Sequence, residues 1–136
     1  MKYPQNVNDA VEILKRNHPK CRISFVGSCI IESVSPKDWD ILVYLKNGHD
    51  ELLHSCYNEG YKIEGERSED YPEELGFNSL RKNDINLIIT QDIHFYHNFR
   101  SASQICKVLD VQDRKKRVQV HAIAFNGITP KDLKEV

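Results

Sequence analysis

The chain lacks long apolar runs, an excess of charge of one sign and any closely paired cysteines. Its 136 residues contain no apolar stretch near the roughly 20 residues that a membrane helix needs. The opening MKYPQN has no apolar core of a secretory signal. Nineteen Lys and Arg against 20 Asp and Glu leave a net charge of −1, too weak a field to attract nucleic acid or an anionic membrane by itself. We therefore expect a cytoplasmic protein without a membrane partner.

The cysteines and the composition indicate an ordinary folded domain in a reducing compartment. A disulfide scaffold would be shorter and denser in cysteine, so we expect free thiols. The four cysteines are Cys21, Cys29, Cys56 and Cys106. With 40% hydrophobic and 29% charged residues, the chain is typical of a globular protein. Its length fits one domain over residues 1–136, with a core at about 8–90 and a C-terminal helical part at about 92–127.

Apolar spacing predicts a mixture of helices and strands. Helices are expected at about 8–17 and 50–57 and in two segments after Asp92, and strands at 22–26, 39–45, 61–63, 77–82 and 85–90. The acidic segment between the third and fourth strands is expected to be a surface loop. One helix face after Asp92 should be buried, and it comprises Tyr96, Phe99, Ala102, Ile105, Cys106 and Leu109. The prediction is an α/β (α+β) domain with a mixed sheet of four to five strands and helices covering one face.

The strand at 39–45 begins with a pair of aspartates, Asp38 and Asp40. Strand alternation places both on the same face, because successive side chains point to opposite sides. Two carboxylates that converge without a partner repel each other. A hard divalent cation such as Mg²⁺ relieves that repulsion, and it takes one or two protein carboxylates, with phosphate and water completing its shell.

The turn after the first strand, Gly27-Ser28, supplies the other half of a possible site. Glycine lets the backbone pass close to a ligand. Ser28 is expected to cap a short helix whose free N–H groups would face phosphate. An anion cradle facing two carboxylates is a triphosphate site.

Together these residues resemble the signature of the DNA polymerase β-like nucleotidyltransferases. The chain reads Val26-Gly27-Ser28, nine residues, then Asp38-Trp39-Asp40-Ile41. The resemblance implies that Asp38 and Asp40 hold two Mg²⁺ ions, or Mn²⁺, while Gly27, Ser28 and the neighbouring Lys37 contact the nucleotide. Gly27-Ser28 as an ordinary turn and Lys37 as a local charge partner of the aspartates remain alternative interpretations.

The resemblance also implies a third carboxylate on a neighbouring strand, and two residues compete for that position. Asn86 fits the strand pattern better but is an amide, which cannot act as a base and binds cations weakly. Asp84 has the required chemistry but also suits a hairpin turn. Arg81 and Lys82 are further candidates for phosphate contact, and the basic run 114–117 is a candidate for nucleic-acid contact, with a solvated surface as the alternative in each case.

The function implied by the resemblance is transfer of a nucleoside monophosphate from a nucleoside triphosphate to a hydroxyl acceptor. The acceptor is open among an RNA end, a protein and a small molecule. Because the chain is short for this superfamily, we also expect self-association or a partner chain. The alternative is a catalytically degenerate module of the same fold that binds nucleotides or regulates a partner.

Overall fold

A computed structural model describes residues 3–63 and 77–125 of the chain and shows a five-stranded mixed sheet. The helices are α1 (Gln5–Asn17), α2 (His49–Asn58), α3 (Ile93–Val108) and α4 (Arg114–Ala124). The strands are β1 (Arg22–Val26), β2 (Trp39–Tyr44), β3 (Lys62–Ile63), β4 (Phe77–Lys82) and β5 (Ile85–Thr90). Their order across the sheet is β1-β2-β5-β4-β3, and only the central β2–β5 pair is parallel. The predicted α+β class and strand count are confirmed.

The expectation that the helices cover one face of the sheet is wrong, because they cover both. Val7 of α1 and Leu52 of α2 pack on the face that carries Ile41 and Leu87. A second core contains Leu42 and Ile88, which face the opposite way on the same strands, packed against aromatic residues of α3 and against Phe125. The β2 and β5 strands are apolar on both faces, as central strands are, and this demands a helical layer on each side.

Helix α3 is buried along a stripe that is rotated from the one its periodicity predicts, since Phe95 and Ser103 are buried as well. Phe99, Ala102 and Cys106 are buried as expected, whereas Ile105 and Leu109 are 45% and 67% exposed. The packed stripe is therefore rotated away from these two residues, because α3 must contact both the sheet and α4. The predicted acidic loop and the last predicted residues of the C-terminal part lie outside the described residues.

No helix in the described part of the chain is long and apolar enough to cross a membrane.

Candidate nucleotide site

A row of polar side chains crosses one end of the sheet on the α3 side. In the strand register, Val26 of β1 lies opposite Asp40 of β2, Asp40 opposite Asn86 of β5, and Asn86 opposite Arg81 of β4. Residues in register on neighbouring strands have their side chains about 5 Å apart on the same face. Asp40, Asn86 and Arg81 are thus brought together by strand pairing alone.

The close packing of Asp40 depends on glycine at position 27. Gly27 has a φ of +74°, in the left-handed region that glycine enters without a steric cost. A Cβ built there would lie 2.5 Å from Asp40 Oδ2, closer than real side chains approach. The glycine therefore lets the turn after β1 pass directly over the carboxylate.

Asn86 connects Asp40 to the neighbouring strand β4. Its Nδ2 donates to Asp40 Oδ1 over 3.1 Å, and its Oδ1 accepts from the hydroxyl of Ser79 over 2.8 Å. Asn86 is only 2% exposed, and a buried amide without partners would be costly. Both ends of the amide are therefore committed to named partners.

Asp38 is held by a different partner, a guanidinium group. Arg81 Nη1 donates to Asp38 Oδ1 over 2.8 Å in a partly exposed ion pair. The two aspartates of the motif are thus compensated separately, Asp38 by a positive charge and Asp40 by an amide. The two carboxylates therefore have separate partners at the end of an apolar sheet.

The polar row opens into a cleft of about 370 Å³ between the sheet and α4. Gly27, Ser28 and Lys37 line it beside the two aspartates, and α4 contributes Arg114, Arg117 and His121 from the opposite side. Three basic and two acidic side chains line the cleft in the described part of the chain, and apolar groups such as Phe99 and Val118 complete its wall. Such a surface suits a ligand with an anionic part and an apolar or aromatic part.

A buried hydrogen-bond chain ties α4 to the turn at Gly27. The Gly27 N–H donates to Ser103 Oγ over 3.3 Å, and the Ser103 hydroxyl is 3.2 Å from His121 Nε2. His121 Nδ1 donates to the carbonyl of Arg117 over 2.8 Å, so a neutral ring must accept from Ser103 at Nε2. Burial lowers the pKa of His121, which favours that neutral form.

The turn itself differs from the expected phosphate cradle. Ser28 lies inside a 3₁₀ helix, Gly27–Ile30, and makes no side-chain cap to it; the residue before the helix is Val26. The Gly27 amide is already bonded to Ser103. The expected capping by Ser28 is therefore not found, and what the turn presents to the cleft is the exposed part of Gly27 and Ser28.

Six of the seven residues singled out from the sequence line this one cleft, and Asp84 does not. The six are Gly27, Ser28, Lys37, Asp38, Asp40 and Asn86. Asp84 accepts a hydrogen bond from Asn6 of α1 over 3.1 Å, and its carbonyl accepts from the Trp39 N–H. The sequence predicts either nucleic-acid contact or a solvated surface for the basic run on α4, whereas Arg114 and Arg117 line this cleft because of how α4 docks, which no local pattern records.

Cys29 lies directly behind the site and takes no part in its polar surface. Its thiol is fully buried and contacts the Val26 carbonyl over 3.1 Å. Burial, followed by the nearby charge of Asp40, raises the pKa of this thiol to about 12. Cys29 is therefore a protonated packing group and not a nucleophile. The described cysteines are all free thiols, as expected.

The protein side chains in the cleft can hold a hard cation such as Mg²⁺ only when a bound substrate supplies further oxygen ligands. No three His, Cys, Asp or Glu side chains cluster as a metal site within residues 3–63 and 77–125. Asp38 and Asp40 both line the cleft. Mg²⁺ is commonly held by one or two carboxylates together with substrate phosphates, so the residues present fit such an ion.

Comparisons with known proteins bear on the fold. No family model and no curated protein sequence matches the chain. The conserved protein GrpB from Enterococcus faecalis aligns over 94% of this chain and 93% of its own, with 16% identity and a TM-score of 0.50. Cid1, whose RNA terminal uridylyl transferase activity is described, aligns over 88% of this chain and 37% of its own, with 12% identity and a TM-score of 0.51. The chain therefore spans little more than a third of Cid1. The chain therefore shares its fold with GrpB and with the aligned part of Cid1.

Proposed function

We propose that this domain of nucleotidyltransferase fold binds a nucleoside triphosphate in the cleft and transfers its nucleoside monophosphate to a hydroxyl acceptor, releasing pyrophosphate. The observation that carries the proposal is the convergence of Asp38, Asp40 and the Gly27–Ser28 turn on one cleft. The turn and the two aspartates are 10 to 13 positions apart in the sequence, and the folded sheet places them together. The likeness to Cid1 supports the fold on which this chemistry would run.

Asp38 and Asp40 are the residues that would hold Mg²⁺ with the phosphates of the nucleotide. When bound, the ion supplies charge neutralisation at the phosphates. Lys37 and the α4 arginines Arg114 and Arg117 line the same cleft and would attract and position the polyphosphate. Ser28 would donate its hydroxyl to a phosphate oxygen. Catalysis of this kind consists mostly of positioning and electrostatic stabilisation.

The apolar part of the cleft would receive the rest of the nucleotide. Phe77, Phe99 and Val118 line it together with His121, and aromatic or apolar surfaces of this kind accept a base by stacking or packing. None of these side chains indicates which base is bound. Comparing the binding of the four nucleoside triphosphates would identify the preferred nucleotide.

The test is a transfer assay with labelled triphosphates and three acceptor classes: a short RNA, a protein mixture and small hydroxyl compounds. The proposal expects Mg²⁺-dependent pyrophosphate release and label on one acceptor class. Lys37→Met should weaken apparent triphosphate affinity, and Lys20→Met, which removes a lysine that does not line the cleft, should not. Absence of pyrophosphate release with all acceptors, despite bound nucleotide, would contradict transfer.

A second candidate function is a nucleotide-binding module without turnover, and the setting of Asn86 favours it. The amide cannot accept a proton from an acceptor hydroxyl, and its N–H points at Asp40. On this proposal the cleft senses a nucleotide and passes the signal to a partner chain or to a second copy. Tight triphosphate binding with no pyrophosphate release is the result that would select it.

A further inference from the structure

We infer that the cleft is built for one divalent cation with its triphosphate, not two, because Asn86 and Arg81 occupy the places where further negative charge would be needed. This inference rests on the proposed function, since it concerns the same cleft. It assigns to Asn86, Ser79 and Arg81 a role in setting how many ions the site holds.

The orientation of Asn86 follows from the chemistry of its neighbours. An ionised carboxylate only accepts hydrogen bonds, so the amide NH₂ must be the end that faces Asp40. The carbonyl end then meets Ser79, whose hydroxyl donates to it over 2.8 Å. Turning the amide by half a rotation would set its carbonyl against the Asp40 carboxylate, two acceptors facing each other. Ser79 and Asp40 together hold Asn86 as a donor toward the site.

A donor at this position cannot serve as a cation ligand in the way that a carboxylate would. Asn86 is 2% exposed and in register with Asp40, so a carboxylate here would join Asp38 and Asp40 at the same end of the sheet. With an amide, the site keeps two carboxylates, and no cluster of three acidic or other ligating side chains occurs in the described ranges.

The charge balance leads to the same conclusion. Asp38, Asp40 and the paired Arg81 carry one net negative charge between them. In two-ion sites the cations lie about 3.5–4 Å apart, and their mutual repulsion must be offset by nearby carboxylates. One cation is matched by the two aspartates and the triphosphate. A second ion would find no third carboxylate beside these two within residues 3–63 and 77–125, and a guanidinium already lies on Asp38.

The experiment counts ions in the complex, independently of turnover. Native mass spectrometry of the chain with a non-hydrolysable triphosphate analogue and Mn²⁺ reports how many ions remain in the protein–nucleotide complex. We expect one ion for the wild-type chain and two for Asn86→Asp. The matched control is Asn78→Asp, which adds the same carboxylate on the same hairpin, where the Asn78 side chain contacts His49 instead of the cleft; it should keep one ion.

Thermal unfolding gives a second readout. Without cations, Asn86→Asp should melt below the wild-type chain, because two like charges meet at a buried position, and Mn²⁺ with the analogue should raise its midpoint by more than it raises that of the wild-type chain. Two ions in the wild-type complex, or one ion in Asn86→Asp, would overturn the inference. If Asn86→Asp does not fold, the number of ions in the wild-type complex still decides between one ion and two. A wild-type chain that binds no analogue at all would instead overturn the proposed function.

Discussion

The two faces of the central strands differ in composition although they share one backbone. On the α1 and α2 side, β2 and β5 present Ile41, Val43, Leu87 and Ile89, which are all fully buried. On the α3 and α4 side, the same strands begin with Asp40 and Asn86 before they continue with the buried Leu42 and Ile88. One face is devoted to packing along its whole length. On the other face, the first row of side chains is polar.

This contrast shows how polar groups are tolerated at the end of an apolar sheet. The polar residues of the row have specific partners, Arg81 for Asp38 and Asn86 for Asp40, with Ser79 behind Asn86. Since an unpartnered buried polar group costs free energy, the row is stable only as a network. Stability should therefore depend mainly on one face and ligand binding mainly on the other.

Asp40→Asn should have the largest effect of these variants. It should reduce transfer activity and leave the stability of the fold nearly unchanged. The substitution keeps the shape of the side chain and removes its charge. We expect transfer to fall by at least about a thousandfold, equivalent to about 4 kcal/mol. The free energy of unfolding should change by less than about 1 kcal/mol, because the Asn86 amide can still donate to the new carbonyl oxygen. Labelled-triphosphate assays and urea unfolding measure the two quantities.

The matched control for this variant is Asp9→Asn on α1, where Asp9 accepts from Gln5 on the other side of the sheet. It should leave transfer within about twofold of the wild-type rate. Wild-type transfer in Asp40→Asn would contradict the functional role of the polar row.

Leu87→Ala tests the opposite face. Leu87 is fully buried in the core beneath α1 and α2, and deleting a buried leucine side chain usually costs about 3 kcal/mol or more. Urea unfolding should show that loss, while triphosphate affinity, measured at a temperature where the variant is folded, stays within about twofold. Ile105→Ala, which removes a side chain that is 45% exposed, should cost less than about 1 kcal/mol. A large loss of affinity in folded Leu87→Ala would show that the two faces are not separable.

Gly27→Ala should lower both the stability of the fold and the affinity for the triphosphate, each by a smaller amount. Alanine is strained at a φ of +74°, at a cost of about 1–3 kcal/mol, and its Cβ would displace the Asp40 carboxylate. We expect roughly tenfold weaker triphosphate binding, about 1.4 kcal/mol. Gly60→Ala separates strain from displacement, because Gly60 also has a positive φ but a Cβ there would meet only Lys82 at 3.6 Å. Equal losses of affinity in both variants would contradict the contact between position 27 and Asp40.

His121→Gln should give the smallest effect, seen as a change in pH dependence. Burial lowers the pKa of His121 below its usual 6.5, so the folded state binds fewer protons than the unfolded state in this range. The stability that the neutral ring contributes is present above pH 6.5 and is lost as the pH falls, by at most about 1.4 kcal/mol per pH unit for one proton. Unfolding curves between pH 7 and 5 should be flatter for His121→Gln than for the wild-type chain. The exposed His94→Gln should leave the wild-type slope, and an unchanged slope in His121→Gln would show that this ring does not set it.

Local patterns were sufficient to predict most elements and half of the site. The continuous apolar run WDILVYL predicts β2, and Asn83-Asp84 predicts the turn that joins β4 and β5, because both signals are carried by neighbouring residues. Strand alternation places Asp38 and Asp40 on one face, and both line the cleft. Strand pairing places Asn86 in register with Asp40, and Asn86 lines the cleft whereas Asp84 does not.

What the sequence could not predict depends on how distant elements dock. Periodicity gives the direction of a helix's apolar stripe but not the face of the sheet that receives it, so the sequence predicts all helices on one face, whereas α1 and α3 lie on opposite faces. The cleft wall made by Arg117 and His121 exists only because α4 packs on α3 and is tied to Gly27 through Ser103. Arg81 was noted as a phosphate candidate, but its ion pair with Asp38 spans 43 positions in the sequence.

The most direct measurement is a calorimetric titration of a non-hydrolysable nucleoside triphosphate into the wild-type chain with Mg²⁺, into the same chain with a chelator, and into Asp40→Asn with Mg²⁺. The account predicts one-to-one binding in the first case and affinity at least about tenfold weaker in the other two, a difference of about 1.4 kcal/mol or more. Equal affinity in all three titrations, or no binding in the first, would contradict the claim that the polar row is a cation-dependent triphosphate site.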